Sequence, residues 1–474
     1  MKMTRKGYSR FVAVMCGLCG LVFGIDLGIV AAALPYIKAA AQFTEAQLSS
    51  VTAAVLLGSV FGTIVAAAVA ERFGRVMAIR LSAAVFTLAV PLICFSDGAF
   101  ALMYAGRILQ GVGCGLACVS GPLYLAECMS AAKRGRGAGM FQLVIVIGLF
   151  VAALVGLAVA AIFGAATDPA VAVGVKTVAW KSIFWASAVP GAFLFVGSFF
   201  LRESPRWLSR RGRREDALAA LLAANPEDEA RAVMDEIVAS EEAERREKAT
   251  LAAAKKGDSI FRRRYMIPFL LSLGVAVCVQ ASGINSVLNY SVMIMDRAGF
   301  REIWANGADV AIKLANFLMT VVACALVDRK GRKFLLAVGS GGLLFGTLCV
   351  GAVFLAIERF GVAPSPTTGF VTLAAFIVYV SAFAVGPGVC VHLALTELMP
   401  TRIRAGGMLV ATMCNNAVSF TIAQTFLPWS KAWGTAGVFF SLSGCMIVFF
   451  VLVMVFLPET KGRSLEEIER MFAQ

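Results

Sequence analysis

"AERFGR", residues 70–75, recurs as "VDRKGR", residues 327–332. Each copy follows an apolar run of about 20 residues, long enough to cross the hydrocarbon core of a bilayer as a helix. Two further pairs repeat the pattern. "AECMSAAKRG" (126–135) returns as "TELMPTRIRA" (396–405), and in both an acid precedes an arginine by seven residues: Glu127 with Arg134, Glu397 with Arg404. "RESPRWL" (202–208) is echoed by "PETKGRSLEEI" (458–468). All three pairs are offset by about 256–270 residues, so the chain is an internal duplication with six apolar runs in each half.

Composition agrees. The 474 residues are 59% hydrophobic and 15% charged, against about 45–50% and about 25% in soluble domains. Lipid must be the solvent for most of the chain. The runs fall near 11–36, 48–70, 77–97, 100–126, 138–163 and 180–201, then 264–291, 304–327, 333–358, 367–396, 405–427 and 435–457. The expected fold is an all-α membrane protein of twelve transmembrane helices in two six-helix halves. Residues 1–201 form the first half and 264–457 the second, with a helical insert at 202–263 and a tail at 458–474. The insert is charged and alanine-rich, which predicts short amphipathic helices. It has no histidine, cysteine or glycine-rich phosphate loop, so a catalytic domain is not expected there.

The formal charge is +14, but its placement argues against nucleic acid as a partner. Basic residues gather before the first span (Lys2, Arg5, Lys6, Arg10) and after the second, fourth and eighth. Alternate loops are therefore basic, as the positive-inside rule requires of one cytoplasmic face, and both termini lie there. Short termini and loops suggest a bacterial inner membrane. The apolar N-terminal stretch is too long for a signal peptide and reads as a retained first helix. The twelve cysteines lie almost entirely in apolar runs, including "CGLC" at 16–19, and are expected to be core residues; no metal site is predicted.

The repeated charges lie at cytoplasmic helix ends. In the first half they are Glu71, Arg72, Arg75, Glu127, Arg134, Glu203 and Arg206. In the second they are Asp328, Arg329, Arg332, Glu397, Arg404 and Glu459. They set topology at least. Recurrence in both halves also fits a network that gates this side as two halves move about a midplane site, the arrangement of many secondary transporters. A different charge is odder: Asp26, in "LVFGIDLGIV" (21–30), sits mid-span. Intramembrane acids are costly, rare and usually functional.

"GRILQGVGCGLACVSGPLYLAE", "RESPRWL", "QASGINSVLNYS", "VDRKGRKFLL" and "PETKGRSLEEIE" together resemble the sugar porter family of the major facilitator superfamily, which includes facilitative glucose transporters and bacterial sugar–proton symporters. The resemblance runs from the first span to the tail. It implies the major facilitator fold, alternating access, no cofactor and a small sugar or polyol as substrate; a working monomer is expected, and no enzyme is, since no nucleophile–base–acid set can be assembled around the single histidine. Asp26 matches the aspartate of proton-coupled members, and Arg107 their partner arginine. Opposite charges in apolar helices of one bundle should find each other, since each is costly alone. Beside Arg107 the acid stays ionised; separated by rocking, it takes up a proton. A static salt bridge is the alternative.

The resemblance also assigns a cavity. Gln142, Gln280, Asn285, Asn316 and Asn415 match polar ligand positions, and Phe23 is a candidate apolar wall. Four positions depart from the family: Val279 for a glutamine, Asn289 for a tyrosine, and His392 and Asn416 for tryptophans. Lys313 lies three residues before Asn316, on the same helical face. It either snorkels to the outer interface or places a cation in the cavity, which would favour an acidic sugar or hydroxy acid. His392, the single histidine, is a neutral ligand, a proton-sensitive one or a packed interior residue. A hexose, pentose or cyclic polyol moved with protons is the leading expectation, with uniport and nutrient sensing as alternatives.

Overall fold

A computed structural model describes residues 4–128, 131–254, 263–300, 303–399 and 403–459. The side chains of Arg134, Asp328, His392 and Arg404 lie outside those described. Among the described residues the chain is helical throughout, without strands. In lipid this is what backbone chemistry demands, because a helix satisfies its own N–H and C=O groups.

Six membrane-length helices come first: α1 (Arg5–Ala41), α2 (Glu45–Arg72), α3 (Arg75–Cys94), α4 (Phe100–Cys128), α5 (Ala131–Phe163) and α6 (Val173–Ser198). The insert folds as α7 (Pro205–Arg210), α8 (Arg214–Ala224) and α9 (Glu227–Ala254). It has a small core of its own in which Leu221 meets Ala230, Val233 and Ile237. It is tied to the bundle where the Trp207 indole donates to the Glu71 carbonyl at 2.9 Å.

Two spans of the second half are interrupted. The seventh crossing is broken into α10 (Arg263–Ala281) and α11 (Ile284–Arg297), with Gly283 at φ 76° between them. The tenth is broken at Gly386 into α14 (Pro366–Val385) and α15 (Pro387–Leu398). Pro387 lacks the N–H that would continue the ladder. Between these breaks run α12 (Ile303–Lys330) and α13 (Arg332–Arg359). The last helix, α16 (Arg404–Val451), contains the eleventh and twelfth crossings, separated at Gly434 (φ 78°). A π turn over Leu452–Phe456 ends it. Twelve crossings result, six on each side of the insert.

Without a hydrophobic driving force between helices in lipid, close backbone approach supplies the packing. Gly58 and Gly62 of α2 lie against Ile108 and Val112 of α4, and Gly111 and Gly115 of α4 lie against Val55 and Ser59 of α2. A Cβ at any of the four would run into the partner's carbonyl oxygen. The α2–α4 contact thus uses two facing small-xxx-small stripes.

The duplication is visible in atomic detail at the basic face. Gly74 (φ 102°) precedes α3, and the Glu203 carboxylate accepts the N–H groups of Arg75 (2.8 Å) and Val76 (3.2 Å). Gly331 (φ 88°) precedes α13, and Glu459 accepts those of Arg332 (3.1 Å) and Lys333 (3.2 Å). A helix N-terminus offers unpaired N–H groups and a partial positive charge, which a carboxylate satisfies.

Candidate functional site

Asp26 and Arg107 meet. Arg107 Nη1 donates to Asp26 Oδ1 at 2.7 Å, with the two side chains 0% and 1% exposed. The site is closed by Cys114, whose thiol donates to Asp26 Oδ2 at 3.4 Å, and by Gln110, whose Oε1 accepts from Arg107 Nη1 at 2.7 Å. The Phe184 ring lies 5.6 Å below the guanidinium. Among the described residues, no acceptor reaches the buried Arg107 Nε or Gln110 Nε2. The arginine is thus held by one acid and one amide, and its release is not opposed by a full set of bonds.

Of the amides expected in the cavity, Asn285 and Gln280 come together across the break in the seventh crossing. Asn285 Nδ2 donates to Gln280 Oε1 at 3.2 Å and to Ser419 Oγ of α16 at 2.9 Å. Asn415 Nδ2 donates to Asn416 Oδ1 at 3.3 Å, also on α16. Phe23 and Gln142 are half-buried, and Asn289 and Asn316 are buried. Ser419 was not anticipated, because a serine in an apolar helix carries no sequence signal of its neighbours.

Lys313 does not snorkel to the interface. It is 0% exposed and forms an i, i+4 ion pair with Asp309 at 2.7 Å, so the cation is already neutralised. The signal for Asp309 is in the sequence itself: "ADVAIKLAN" sets an acid one turn before the lysine.

At the basic face the described acids pair across loops. Arg75 grips Glu127 with two bonds of 2.8 Å, and Ser204 donates to the same carboxylate. Arg332 meets Glu397 at 3.1 Å. Arg206 turns to Glu236 of α9 at 3.4 Å. Burial raises the Glu203 carboxyl above its ordinary value, opposed in part by the N–H groups of Ser204, Val76 and Arg75 and by the Arg75 charge. At the opposite face the two halves touch: Tyr290 donates to Ser49 (3.4 Å), Gln424 to Ser50 (2.8 Å), and Arg297 lies 4.0 Å from Glu45.

Residues 12–472 match the family model described as sugar (and other) transporter. The chain belongs to that family. It is 31% identical over 471 residues to the major myo-inositol transporter IolT of Bacillus subtilis, covering 98% of this chain and 94% of the relative. It is 29% identical to the galactose-proton symporter of Escherichia coli, covering 98% and 95%. The inward-open structure of the xylose transporter XylE from E. coli superimposes with a TM-score of 0.80 at 23% identity, over 98% of this chain and 100% of that one. As a member of the family, the protein is a multi-pass membrane transporter and not an enzyme.

Proposed function

We propose that this transporter is a proton symporter of a neutral sugar or cyclic polyol, working by alternating access. The observation that carries it is the Asp26–Arg107 pair, buried at 2.7 Å within the first half. A shielded carboxylate keeps its charge only while its cation stays beside it. A rearrangement that withdraws Arg107 makes Asp26 take a proton, and its return expels that proton. The relatives point the same way, one being a galactose-proton symporter and another a myo-inositol transporter.

A neutral substrate is favoured over an acidic one because Lys313 is already paired with Asp309. The amides Gln280, Asn285, Asn289, Asn316, Asn415 and Asn416, with Gln142, offer donors and acceptors suited to hydroxyl groups, and Phe23 an apolar wall. His392 belongs to the same proposed cavity. The halves are taken as 1–201 and 264–457, with both termini cytoplasmic in a bacterial inner membrane and the monomer as the working unit. With that orientation the contacts of Tyr290, Gln424 and Arg297 close the extracellular side. The paired charges at the basic face, with Arg134, Asp328, Arg329 and Arg404, form the cytoplasmic gating set.

The test is uptake into proteoliposomes with an imposed pH gradient, comparing myo-inositol, galactose, xylose and glucuronate. Accumulation of a neutral compound that follows the gradient is expected. Gradient-independent uptake, or accumulation of glucuronate alone, overturns the proposal.

A further inference from the structure

Asp309 and Lys313 are a second pair of buried charges, and they differ from the first in what they join. Asp26 and Arg107 both belong to the first half. Lys313 belongs to the second, yet its ammonium also donates to the Gly28 carbonyl of α1, in the first half, at 3.1 Å. Asp309 holds the ammonium through Oδ2 at 2.7 Å, while Ser291 of α11 donates to Oδ1. The acid is 1% exposed and the lysine 0%. Two oxygens, Asp309 Oδ2 and the Gly28 carbonyl, thus fix one ammonium at the seam between the halves, with Gly28 two residues along α1 from Asp26.

We propose that the Asp309–Lys313 pair is a latch that holds α12 against α1 and keeps the side opposite the basic loops closed. Apolar side chains of similar volume would pack such a seam at equal or lower energetic cost than a desolvated ion pair. The charges make sense where a contact must be specific in one state and released in another. A carbonyl acceptor fits that need, because it can be left without stranding a second charge. Gly28 can serve because α1 is pressed against α5 here: a Cβ at Gly28 would stand 2.8 Å from Ala152 Cβ and 3.0 Å from the Leu149 carbonyl. The carbonyl that Lys313 grips is therefore held from behind by the first half.

The latch lies deeper than the contacts that seal the rim. About two turns toward the rim from Lys313, Asn306 and Ala305 of α12 line a cavity of about 290 Å³ between Tyr36 of α1 and Arg297 of α11. Widening that cavity moves α12 away from the first half, and Lys313 must then leave Gly28. Lys313 is a positioning residue in this account and need not touch substrate.

The experiment places a reporter, Ala305→Cys, in the cavity and follows its reaction with a membrane-impermeant maleimide, without substrate, in proteoliposomes sorted for right-side-out orientation. The same protein lacking the reporter corrects for the native cysteines. Labelling should be slow in the parent and at least fivefold faster in the charge-free Asp309→Asn/Lys313→Met variant. An unchanged rate in that variant overturns the latch. Asp309→Asn alone strands the ammonium and should lower the yield of monodisperse protein, and adding Lys313→Met should restore it. Failure to restore it also overturns the proposal. Because no transport is measured, loss of the symport proposal would leave this result standing.

Discussion

Arg107 reaches Asp26 across 2.7 Å with both side chains shut from solvent, and the acid's second oxygen accepts from the Cys114 thiol. Removing one charge leaves the other buried and bare, at a cost of about 3–5 kcal/mol. Arg107→Gln should therefore unfold at a distinctly lower temperature in detergent, and Asp26→Asn/Arg107→Gln should recover most of the loss. Equal melting temperatures for the single and parent proteins would contradict the pairing.

Proton coupling has a separate signature. Asp26→Asn cannot titrate, so gradient-driven accumulation should vanish while exchange of labelled for unlabelled substrate continues. Accumulation unchanged in this variant would remove Asp26 from the coupling step.

Asn285 is the donor that ties Gln280 to Ser419. Its loss should weaken substrate binding by the value of about one hydrogen bond, roughly three- to tenfold in KM. Ser419→Ala should have a smaller effect, since it acts through Asn285. Tracer uptake against substrate concentration distinguishes the two.

Glu203 and Glu459 hold equivalent helix starts in the two halves. Glu203→Ala and Glu459→Ala should each destabilise the protein by about 0.5–2 kcal/mol, the usual range for a lost cap. Thermal unfolding of the two variants should show losses of similar size.

Glu203 also predicts a pH dependence. Its folded carboxyl titrates above the ordinary 4.5 because it is buried. The folded state therefore binds this proton more readily than the unfolded chain does. Its contribution to stability is fully present below 4.5 and is lost as pH rises through the raised folded value. Glu203→Gln cannot titrate, so its melting temperature should fall less than the parent's across that window. Parallel curves would show that Glu203 does not titrate there.

The sequence alone settles the membrane class, the duplication, the twelve crossings and the basic face, because each depends on run length and charge placement along the chain. It also flagged Asp26, since an acid in an apolar run is conspicuous without any knowledge of neighbours. Partners come from the fold. It gave Glu127 to Arg75, Glu397 to Arg332 and Lys313 to both Asp309 and Gly28. It also broke the seventh and tenth crossings at Gly283 and Gly386. The reason is physical: hydropathy is summed over a segment, whereas an ion pair or a helix break is settled by which groups lie within a few ångströms across helices distant in sequence.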